Sequence, residues 1–61
     1  MDLENALKNV DRVTYGFRWL HWHNDSGMWV VWEHKTYQIG SRVVGQFFGL
    51  QDALDTLLQE N

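Results

Sequence analysis

The apolar positions of this chain change period twice. From Asp2 to Val10 they fall at Leu3, Ala6, Leu7 and Val10, the i, i+3, i+4, i+7 spacing of a single helical stripe. Asp2 is placed to cap that helix, with Glu4 in its first turn and Lys8 in its last, each on the favourable side of the helix dipole. A helix this short is unstable alone in water, so its stripe must dock.

From Val13 the pattern turns to alternation. Val13, Tyr15, Phe17, Trp19, His21 and His23 share one phase, and Thr14, Arg18, Leu20 and Trp22 the other; with this β-branched and aromatic content the segment reads as a strand. The turn formers Asn24, Asp25, Ser26 and Gly27 separate it from a second apolar run, Met28 to His34, which predicts an antiparallel hairpin. A symmetric loop sets His23 against Met28, Trp22 against Trp29, His21 against Val30, Trp19 against Trp32 and Arg18 against Glu33. A slip of one residue would put these partners on opposite faces. Thr36 to Ile39 alternates again, and Arg42 to Phe48 reads as a less regular strand in which Gly45 marks a bulge. Leu50, Ala53, Leu54, Leu57 and Leu58 then restore a helical stripe, with Gly49 at its N-cap and Asp52 in its first turn.

The order predicts one small α+β domain over residues 1–61, in two layers: a short N-terminal helix, a three- or four-stranded antiparallel sheet and a C-terminal helix. Both helices belong on one face of the sheet. We expect them over Val13, Tyr15, Phe17, Trp19, Val30 and Trp32, which leaves Arg18, Leu20, Trp22, Trp29, Val31 and Glu33 on the open face. The inverse assignment leaves a larger and more aromatic set uncovered. Either way a tryptophan pair faces solvent, and apolar patches of that kind mark interfaces.

Composition sharpens this picture. The chain has no cysteine but nine aromatic residues, four of them tryptophan, so a disulfide scaffold is excluded and aromatic burial must take its place. The net charge of −3 argues against a general nucleic-acid binder. Its distribution is uneven: residues 1–11 carry −2, residues 49–61 carry −3, and residues 12–48 carry +2. Asp2, Glu4, Asp52 and Asp55 therefore make an acidic helical surface. Met1 to Glu4 does not open an export signal and no run approaches the length of a membrane span, so the expectation is a cytoplasmic protein with no membrane partner.

Candidate chemistry is sparse. No Gly-x-Ser-x-Gly motif or glycine-rich phosphate loop is present, and a thin domain has little depth for a substrate pocket. The expectation is not an enzyme, with no cofactor. His21 and His23 share a strand face and are weak metal candidates; His34 lies more than about 10 Å along the hairpin, too far to complete a set. A protonation-sensitive interface is the other role open to these histidines. The leading function is a protein-interaction module, an inhibitor or adaptor of a larger machine. It would bind a protein partner, a second copy included, through the tryptophan face or the acidic helices. The alternative is single-stranded nucleic acid stacking on the sheet tryptophans with Arg18 and Arg42 alongside.

Overall fold

A computed structural model describes residues 2–34 and 40–59. Helix α1 runs Leu3–Lys8, strands β1 to β4 run Val13–Tyr15, Arg18–His23, Met28–His34 and Ser41–Phe47, and helix α2 runs Leu50–Leu58. The strands form one antiparallel sheet in the order β1-β2-β3-β4, giving the α-β-β-β-β-α sequence of an α+β fold. Asp2 caps α1 as its position implies, accepting a hydrogen bond from the Asn5 amide at 2.8 Å. Lys8 reaches back to Glu4 across one turn at 3.8 Å. The strand read over Thr36–Ile39 lies outside the described residues.

The β2–β3 hairpin holds the register that the side chains demand. Arg18 faces Glu33, Trp19 faces Trp32, His21 faces Val30, Trp22 faces Trp29 and His23 faces Met28.

The long strand read from Val13 to His23 is instead two strands. Tyr15 pairs with Arg18, so Gly16 and Phe17 form a two-residue hairpin loop, and Gly16 has a φ of 61° that only glycine adopts readily. Folding back at this point reverses the phase. Val13 stands beside Leu20 and Tyr15 beside Arg18, so neither shares a face with Trp19.

The larger correction concerns which face is covered. Leu20, Trp29 and Val31 are 0–1 % exposed and pack with Ala53 and Leu57 of α2, while Leu7 of α1, Val13, Trp22, Val44, Phe47, Leu50 and Leu54 close around them. Both helices therefore lie over the face expected to be open. The reason is the shape of the central rows. Leu20, Val31 and Gly45 align across three strands and offer a smooth aliphatic bed for a leucine-striped helix, whereas the other face carries His21 and Gln46.

In β4 the ladder slips by one residue: Val31 pairs with Gly45 and Trp32 with Val43, leaving Val44 as the extra residue of a bulge. Gly45, expected at the bulge, sits next to it for another reason. A Cβ there would lie 2.7 and 2.9 Å from ring atoms of Phe47. Gly45→Ala is expected to destabilise the fold by about 1–3 kcal/mol through overpacking, read as a lower denaturation midpoint. An unchanged midpoint would show that the Phe47 ring moves aside freely.

Candidate site on the uncovered sheet face

On the face without helices, the register aligns Thr14, Trp19, Trp32 and Val43 across the four strands, and His21, Val30 and Gln46 across three. Trp19 and Trp32 are half-buried and lie with ring centroids 6.2 Å apart and planes 7° from parallel. Val43 beside them is 39 % exposed. Val30 sits under the surrounding side chains at only 6 % exposure, so this face carries a thin packed layer of its own.

Polar groups fix the indoles. The Trp32 Nε1–H donates to His21 Nε2 at 2.9 Å. The Arg12 guanidinium lies 5.4 Å from the centre of the Trp19 ring, within cation–π range, and pairs with Asp11 at 3.5 Å. Asp11, Arg12, Trp19, His21 and Trp32 line a shallow depression of about 260 Å³. It has an aromatic floor, the Arg12 cation at one side and the His21 imidazole at the other. Such an arrangement suits an apolar group with a hydrogen-bonding edge; it gathers no nucleophile with a base.

The residues expected at the interface are gathered on the other side of the sheet. Leu20, Trp29 and Val31 form the core, and Trp22 packs on its margin, tilted against Trp29 at 5.1 Å with the Lys8 ammonium 4.3 Å from the centre of its ring. Arg18 and Glu33 are buried at 6 and 7 % exposure. Arg18 Nε donates to Glu33 Oε2 at 3.1 Å, and Arg42 Nε donates to Glu33 Oε1 at 3.1 Å. A second nitrogen of Arg18 donates to the Thr56 carbonyl at 2.6 Å. Thr56 lies in the last turn of α2, which has no basic residue of its own, so the sheet supplies the cation that the helix C-terminus favours. Arg18 holds the Glu33 carboxyl below its usual range; burial opposes this and Arg42 adds to it. The pair read as a surface feature is a buried clamp between sheet and helix.

The acidic residues are exposed but engaged locally: Asp2 caps α1, Glu4 pairs with Lys8, and Asp55 accepts from Gln51 at 3.0 Å. Asp52 sits in the first turn of α2. The histidines are occupied too. His21 serves Trp32, and His23 Nδ1 lies 2.8 Å from Ser26 Oγ in the hairpin turn, with the two rings edge to face at 6.4 Å. Among the described residues no three His, Cys, Asp or Glu side chains gather as a metal site, and no helix is long and apolar enough to cross a membrane.

Trp19, Trp32 and His21 were legible as neighbours; their exposure was not. One available signal was the aliphatic pair Leu20 and Val31 at the centre of the opposite face, where the Trp19 face has His21 and Val30. No family model matches the chain, and no curated protein or solved structure shows significant similarity to it.

Proposed function

We propose that this chain is a non-enzymatic protein-interaction module whose binding surface is the open sheet face centred on Trp19 and Trp32, with a second copy of the chain among its partners. One observation carries the reading: two parallel indoles on a face that neither helix covers. Tryptophan is enriched among the residues that dominate binding energy, because a rigid ring removes much surface from water at little entropic loss, and each half-buried indole here keeps part of its ring open to contact. The acidic helices support the reading less well, since Asp2, Glu4 and Asp55 are engaged within their own helices.

The test is molar mass against concentration, by light scattering or sedimentation. Wild-type protein is expected above its 7.3 kDa monomer mass at high micromolar concentration. The Trp19→Ala, Trp32→Ala double variant is expected to stay monomeric while retaining a cooperative urea transition. A wild type that remains monomeric, or a double variant that associates equally well, overturns the self-association reading. Tryptophan quenching by a single-stranded oligonucleotide that weakens steeply between about 50 and 200 mM salt would assign the same face to nucleic acid instead.

A further inference from the structure

We propose that the charge on His21 switches the open face between a locked and a released state. An indole N–H is a donor only, so the Trp32 Nε1–H to His21 Nε2 contact at 2.9 Å requires that His21 Nε2 carry no proton. The imidazole in this arrangement is therefore neutral, with its proton on Nδ1. An imidazolium donates from both nitrogens. Once His21 is protonated, two N–H groups face each other and the hydrogen bond to Trp32 is lost. Trp32 is one half of the stacked pair, so release of its ring loosens the centre of the face.

The surroundings of His21 give protonation a direction. The connection before β1 brings Asp11 and Arg12 to the same depression, where Arg12 is paired with Asp11 and lies over Trp19. Within β2, the His23 ring lies edge-on at 6.4 Å. From β1 the face receives Thr14, from β3 Met28, Val30, Trp32 and His34, and from β4 Gln46 and Val43; of these His34 alone is titratable, and it stands two residues beyond Trp32 along β3, with that indole's position between it and His21. A proton on His21 thus adds a second cation beside Arg12 on a surface otherwise suited to apolar contact, and a charge without a new partner disfavours its own desolvation. His23 has no such link to an indole, because its Nδ1 faces Ser26 in the turn.

The consequence for binding rests on the proposed function: association through this face is expected to weaken about three- to tenfold from pH 8 to pH 5, the scale of one hydrogen bond lost. The switch itself needs no partner to be seen. In ¹⁵N-labelled chain, the Trp32 indole N–H resonance, assigned by its disappearance in Trp32→Phe, is expected to move with the same midpoint as the His21 imidazole resonance. Its protection from solvent exchange, taken relative to the intrinsic indole rate at each pH, should fall about tenfold. In His21→Leu the indole resonance should ignore pH over this range. A Trp32 resonance that stays fixed while His21 titrates overturns the switch. So does a His21 that does not titrate between pH 8 and 5, or an equal movement in the leucine variant. Association that ignores both pH and the tryptophan substitutions, while the Trp32 resonance titrates as expected, upholds the switch and overturns the binding role.

Discussion

Trp29→Ala is expected to destabilise the domain by about 3–5 kcal/mol, whereas Trp32→Ala, three residues along the same strand and on its opposite face, leaves the domain folded. Trp29 is 1 % exposed and packs against the aliphatic core beneath α2. Truncating a buried tryptophan to alanine costs about 3–5 kcal/mol. A domain of 61 residues has roughly 3–9 kcal/mol of stability in total, so the loss takes from about a third of it to all of it. Trp32 is half-buried on the open face; its removal forfeits the stacking on Trp19 and some cover over Val30, about 1–2 kcal/mol. Urea melts followed by dichroism at 25 °C separate the two. Equal destabilisation by both variants would contradict the assignment of faces, and a larger loss at Trp32 would reverse it.

Alternation carries information of a particular kind, and the hairpin shows its limit. It tells which residues share a face and, with an opposite-charge pair and two tryptophan pairs to align, it sets the β2–β3 register. It does not say which face a helix will choose, because both faces of this hairpin carry two tryptophans. The choice was decided by the residues between them: Leu20 and Val31 on one side, His21 and Val30 on the other. A buried charge pair also misleads a reader of sequence. Arg18 and Glu33 look like surface residues until Arg42 and the Thr56 carbonyl are seen to complete their hydrogen bonds, and those partners come from segments that no local pattern connects to the hairpin. The break at Gly16 was hidden for a similar reason. Val13 to His23 alternates through it without a fault, and only the left-handed backbone at Gly16 and the pairing of Tyr15 with Arg18 reveal the fold-back.

Arg18→Ala is expected to lower the melting temperature by on the order of 10–20 °C, because it removes two supports together. The Glu33 carboxylate is left beneath the helix without its nearest cation, and the last turn of α2 loses the donor to Thr56. Acid isolates the first of these effects. The Glu33 carboxyl titrates below its usual value of 4.5, chiefly because Arg18 donates to it, so the unfolded chain takes up this proton at higher pH than the folded one does. The contribution of the pair is then fully present above about pH 5 and declines as pH falls through 4.5 and below. In Glu33→Gln this part of the acid sensitivity should vanish, leaving a melting temperature that is lower at neutral pH and falls less steeply between pH 5 and 3 than in the wild type. Arg42 alone does not rescue the carboxylate in Arg18→Ala, since its own side chain is 58 % exposed and its attraction is correspondingly screened by water and salt. Parallel acid profiles for wild type and Glu33→Gln would mean that the ionised Glu33 is neutral to folding, and that apolar packing and the Arg18 bond to the Thr56 carbonyl hold α2 on the sheet.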